Sequence, residues 1–144
     1  MAKIKNVKGR QVFDSRGNPT VEAEVYLDNN ISATAISPSG ASTGAFEAHE
    51  LRDKDKNKFL GKSVNVAVEN INSKISSKLI GLDSDNQEII DKFLLDLDGS
   101  ENKKNLGANA TLAVSLASAK SSAITKTKSL FKNLGKSYSL PIPL

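Results

Sequence analysis

From Val21 to Leu27 apolar and polar residues alternate with a period of two: Val21, Ala23, Val25 and Leu27 fall on one side, Glu22, Glu24 and Tyr26 on the other. That is the pattern of a strand with one buried face. Ile31, Ala33 and Ala35, alternating with Ser32 and Thr34, repeat it. Asp28-Asn29-Asn30 between the two runs is turn chemistry, which predicts an antiparallel hairpin. An earlier strand within Ile4 to Phe13 is expected alongside, set apart by Ser15-Arg16-Gly17-Asn18-Pro19, where glycine and Asn-Pro favour a bend.

Further along, the repeat lengthens to three and four. Val64, Val68, Ile71, Ile75 and Leu79 line one side of a predicted helix, with Gly81 as its stop. A second helix is expected from about Ser84, with Gln87 as capping-box partner, carrying Ile89, Ile90, Phe93, Leu94 and Leu97 to an end at Asp98-Gly99. A third, from about Ala108 to Ile124, is rich in Ala and Ser, with Leu112, Leu116, Ala119 and Ala123 on one side. Small side chains allow close approach, which predicts a central place for this helix. Strands first and helices after predict an α+β domain: a small three-stranded antiparallel sheet followed by a group of three to four helices on one face. The closing Leu140-Pro141-Ile142-Pro143-Leu144 alternates proline with apolar residues and reads as an extended connection.

Composition narrows the function classes. With 144 residues and 38% hydrophobic content, the chain has apolar material for one domain with a core. Cysteine is absent, which excludes disulfide frameworks and thiolate metal sites. No apolar run approaches the ~20 residues of a membrane span, and Met1 to Lys8 lacks the apolar core of a signal peptide. The expectation is a cytoplasmic protein without a membrane span. The net charge of +4 arises from lysines scattered among Asp and Glu, with no basic stripe and no interleaved aromatics, which argues against a nucleic-acid partner.

The stretch Ser37-Pro38-Ser39-Gly40-Ala41-Ser42-Thr43-Gly44 has only small side chains apart from one proline. Its exposed backbone, hydroxyls and two glycines suit it to wrap a small anionic or metal-bound ligand. Taken alone it is equally a surface connection between strand and helix. It carries neither the lysine of a P-loop nor a GxGxxG spacing. His49-Glu50-Leu51-Arg52-Asp53 is not HExxH, so His49 reads as a helix-surface residue rather than a zinc ligand.

Several segments, in order, match one family. Asp14-Ser15-Arg16-Gly17-Asn18-Pro19-Thr20-Val21-Glu22 resembles the DSRGNPTVE segment of enolases, and Pro38 to Gly44 resembles their PSGASTG loop. Glu50-Leu51-Arg52-Asp53 with Leu60-Gly61-Lys62, then Leu97-Asp98-Gly99, Asn102-Lys103 and Leu106-Gly107-Ala108-Asn109-Ala110, are similar to its later signatures. The resemblance, to the amino-terminal domain of the enolase family, covers essentially the whole chain. Departures are Lys54 and Ala113 where glycine is common, Ser100 where threonine is common, and His49 where an aliphatic residue is usual.

The resemblance implies a phosphopyruvate hydratase, a carbon–oxygen lyase of glycolysis that reversibly dehydrates 2-phosphoglycerate to phosphoenolpyruvate. In that family a barrel lysine removes the C2 proton, a barrel glutamate protonates the departing hydroxyl, and two Mg2+ ions offset the new charge. No catalytic acid or base is then expected in this chain. Residues 1–138 would form the lid domain, and residues 139–144 would begin the connection to a (β/α)8-type barrel. By the same resemblance, Ser39, Gly40, Ala41, Ser42, Thr43 and Gly44 form a mobile substrate loop, and Ser42 gives an oxygen to the second magnesium. Arg16 would lie near the active site; as a residue it is equally a turn cation paired with a nearby acid. Arg10 and Glu22 would meet barrel residues of a second subunit in a homodimer or larger oligomer; as residues they are equally exposed strand charges. On the residues alone, a stand-alone anion-binding module and an interaction domain without a catalytic half stay open beside the enzyme.

Overall fold

Each alternating run becomes a strand with its apolar side inward. The computed structural model describes residues 1–40, 44 and 46–135. In it β1 (Ile4–Phe13), β2 (Pro19–Leu27) and β3 (Ser32–Ser37) form one antiparallel sheet in the order β1-β2-β3. Val21, Ala23, Val25 and Leu27 are buried against the helices with Val7 and Ala35, while Glu22, Glu24 and Tyr26 occupy the opposite face. The β2–β3 hairpin closes as predicted: the Leu27 amide donates to the Ile31 carbonyl at 2.8 Å, and Asn30 takes a positive φ of 65°. The β1–β2 turn is built by Asp14, whose Oδ1 accepts from the amides of Arg16 and Asn18, both at 2.9 Å.

The first predicted helix runs without interruption from Asn65 to Leu79, but it is not uniform. Two α-helical pieces, α1 (Asn65–Glu69) and α2 (Ser76–Leu79), flank a wider π-helical turn, Asn70–Ile75. Ala67, Ile71, Ile75 and Leu79 are buried along its inner side. The wide turn aims two asparagines outward from the ladder: Asn70 Nδ2 donates to the Leu106 carbonyl at 3.1 Å, and Asn72 exchanges two bonds with the backbone of Gly9.

The next helix, α3 (Gln87–Asp98), begins later than predicted. Its cap is Asn86, which accepts from the Ile89 amide at 3.3 Å. Ser84, the expected cap, is buried and bonded through both its amide and its hydroxyl to the Ala2 carbonyl at 3.0 Å. Gly99 ends α3 in the left-handed region at φ 66°.

Helix α4 (Ala108–Thr125) lies centrally, against β2 and β3 on one side and α3 on another. Its predicted face needs correction. Ala119 and Ala123 are buried, but Leu112 is exposed and Leu116 only half-buried, whereas Ala110, Ala113, Val114, Ala117, Ser118 and Ser121 are buried. At so close an approach the small residues make the contact, and the large leucine is left at the rim. A short α5 (Leu130–Leu134) packs on the end of α4.

Candidate functional site

The small-residue loop leaves the sheet from a fixed point. Ser37 ends β3 and is buried, its carbonyl accepting from the hydroxyl of buried Thr20. Ser39, next but one, is gripped at both polar ends. Its hydroxyl donates to Glu50 Oε2 at 3.2 Å and accepts from Arg52 Nη2 at 3.0 Å, and its carbonyl accepts from Arg16 Nη2 at 3.1 Å. Arg16 also faces Asp14 Oδ2 at 3.4 Å. The turn residue and the loop stem, 23 positions apart, are thereby brought together. Gly40 and Gly44 are exposed; Ala41, Ser42 and Thr43, with the expected metal oxygen of Ser42, lie outside the described residues, as do residues 139–144.

The loop's far side returns through residues 48–54, which are neither helix nor strand, so His49 is not on a helix surface. Its amide donates to the Asn102 carbonyl at 2.7 Å, and its carbonyl accepts from the Ala108 amide at 2.8 Å. Leu51 is clamped by the buried Asn109, whose Oδ1 accepts from the Leu51 amide at 3.2 Å and whose Nδ2 donates to its carbonyl at 3.0 Å. Gly107 makes this approach possible: a Cβ there would stand 2.5 Å from Asn109 Oδ1 and 2.6 Å from Leu51 Cβ. Asp53 caps α1 from a distance, accepting from the amides of Asn65 at 3.0 Å and Val66 at 2.9 Å. Burial opposes ionisation of Asp53, but those amides, with Ser63 and Asn65, outweigh it and hold the carboxyl below its ordinary value.

Asp98 fixes the turn that carries Asn102 and Gly107. It is buried and accepts from the amides of Leu106 at 2.7 Å, Ser100 at 3.0 Å and Asn105 at 3.1 Å, and from the Ser100 hydroxyl. Here too burial pushes the carboxyl up, and the four donors more than reverse it. The sequence pattern marks Asp98 only as a helix end and gives Glu50, Arg52, Asp53 and Asn109 no role, although all sit inside the quoted motifs. The available signal was polar residues interrupting apolar positions in those segments.

Arg10 and Glu22 face each other across β1 and β2 on the open face of the sheet, at 2.7 Å, and Arg10 also pairs with Glu24. Glu24 first, then Glu22, raises the Arg10 guanidinium further above its ordinary value. Arg10 belongs to an edge strand and Glu22 to the central one. Among the described residues, no three His, Cys, Asp or Glu side chains gather to hold a metal ion, and no helix is long and apolar enough to cross a membrane.

A curated protein named Enolase, from Corynebacterium kroppenstedtii, is 54% identical over 146 aligned positions, which cover all of this chain and 34% of that protein. The chain therefore spans about a third of that relative's length. A family model described as "Enolase, N-terminal domain" matches residues 4–134, from the first residue of β1 to the last of α5. A match running through every strand and helix of the fold makes the chain a member of the enolase family, in the part that forms its amino-terminal domain.

Proposed function

We propose that residues 1–138 are the lid domain of a phosphopyruvate hydratase, which dehydrates 2-phospho-D-glycerate reversibly to phosphoenolpyruvate in the cytoplasm, and that residues 139–144 lead into its barrel. The observation that carries this reading is the 54% identity to an enolase over the entire chain. The anchored loop stem supports it: a lid needs fixed ends if it is to return to the same place over a substrate.

In this reading Ser39 to Gly44 cover the substrate and Arg16 stands at the mouth of the site. The chain's contribution toward the two magnesium ions is one neutral oxygen, the Ser42 hydroxyl, for the second ion. A hydroxyl oxygen suits that limited part, since a hard cation accepts neutral oxygen ligands. The chemistry bound magnesium supplies is to offset the charge that builds on the substrate carboxylate. Arg10 and Glu22 serve a homodimer or larger oligomer.

The test is a chimera in which this chain replaces the matching third of the Corynebacterium kroppenstedtii enolase. Ser42→Ala is expected to lower kcat at least about tenfold, or roughly 1.4 kcal/mol, because a ligand lost from the ion that offsets developing charge acts on the transition state. The 144-residue chain by itself is expected to show no turnover. Full activity of Ser42→Ala at limiting magnesium, or turnover by the isolated chain, overturns the reading.

A further inference from the structure

Arg52 is bound more elaborately than a surface arginine needs. Its side chain is 18% exposed. Nη1 donates to the Pro19 carbonyl at 3.1 Å and to the Lys62 carbonyl, while Nη2 donates to the Ser39 hydroxyl at 3.0 Å and to Glu50 Oε1 at 2.7 Å. Because the Ser39 hydroxyl donates to the second oxygen of the same carboxylate, Arg52, Glu50 and Ser39 close a ring in which each bonds the other two. The guanidinium fork is what allows this: a planar group can address the start of β2, the end of the Phe59–Gly61 turn and the loop stem at once, whereas an ammonium on a flexible stem cannot. The neighbouring structure is fixed by other groups, with Asp53 on α1 and Asn109 on Leu51. The ring's distinctive contact is therefore Ser39.

We propose that Glu50 and Arg52 are positioning residues, which set where the backbone leaves Ser39 for Gly40 and thereby tune substrate affinity; this rests on the reading that the loop covers the substrate. A stem held in one place keeps the binding-competent loop arrangement populated. When only a fraction of molecules is competent, apparent affinity falls by that fraction, while turnover at saturation persists. Loosening the ring should thus raise KM and spare kcat. Simple loss of folded protein would do the reverse, lowering apparent kcat at constant KM.

Three variants test this: Arg52→Lys, which keeps the charge and loses the fork, Ser39→Ala, which removes the hydroxyl, and Ser39→Thr, which keeps it. In the 144-residue chain, amide exchange at Ser39 and Gly40 should quicken at least ~10-fold in the first two, with the third within ~2-fold of the parent. In the chimera, Arg52→Lys should raise KM ~3- to 10-fold with kcat within ~2-fold. The double variant should be no worse than either single one, because both remove the same ring. Unchanged exchange, a defect in kcat instead of KM, or additive effects overturn the proposal. If Ser42→Ala is silent as well, the failure belongs to the lid reading; if Ser42→Ala lowers kcat as expected, it belongs to the ring alone.

Discussion

Asp98 keeps a charge where solvent hardly reaches, at 3% exposure, and four donors hold it there. Its folded carboxyl lies below the unfolded value of 3.8. The stabilisation is therefore complete above the unfolded value and is lost as pH falls through the lower folded one. Asp98→Asn cannot accept at both oxygens, and leaves buried amides without partners at a cost of about 2–3 kcal/mol near neutral pH. Thermal melts of the two forms from pH 7 to pH 2 are expected to converge at the acid end; a constant gap would assign the loss to packing. Lys54 shows how a departure from the family pattern can be read at the same scale. It sits at φ 59°, in the left-handed region where glycine is relaxed, and its amide donates to the Gly61 carbonyl at 3.2 Å.

Between β1 and the π-helical turn the fit leaves no room for a methyl group. A Cβ on Gly9 would stand 2.9 Å from Ile71 Cβ, while Asn72 serves both the amide and the carbonyl of Gly9, at 2.8 and 3.2 Å. An edge strand is thus sealed by a side chain from the helix that packs on it. Gly9→Ala is expected to destabilise the domain by about 1–3 kcal/mol through overpacking, read as a lower urea midpoint at unchanged slope; a neutral effect would mean that helix and strand can part without penalty. This element also marks how far the sequence could be read. The strands, their faces and the hairpin followed from alternation, because side-chain direction in a strand is local. The π turn was hidden, since Ile71, Ile75 and Leu79 keep helical spacing through it, and the backbone groups that Asn70 and Asn72 reach from it are distant in sequence. Ser84 and Asn86 are both capping residues by type; the choice fell to Asn86 because Ser84 is committed to Ala2, 82 positions away. Leu112 looked like core because nothing local revealed how closely α4 approaches the sheet. At the site, the loop was visible as an unusual composition, while the side chains that anchor it depend on contacts across the fold.

On the scale of the whole molecule, the open face of the sheet carries a self-contained charge group: Arg10 between Glu22 and Glu24, with Glu24 held below its ordinary value first by Tyr26 and then by Arg10. A partner subunit that recruits Arg10 or Glu22 has to compete with bonds already made. Glu22→Gln should therefore weaken dimerisation of the chimera, measured by sedimentation equilibrium, and hardly move the melting of the isolated chain, since such partly exposed pairs are worth about 0–1 kcal/mol. Equal dimer constants for both forms would remove Glu22 from the interface. The clamp on Leu51 adds a constraint in time. Its partner Asn109 lies 58 residues downstream, so during synthesis Leu51 stays unclamped until three-quarters of the domain has left the ribosome. For that interval the returning stretch of chain is held through Arg52 and Asp53, and its seat against α4 is among the last parts of the domain to be fixed.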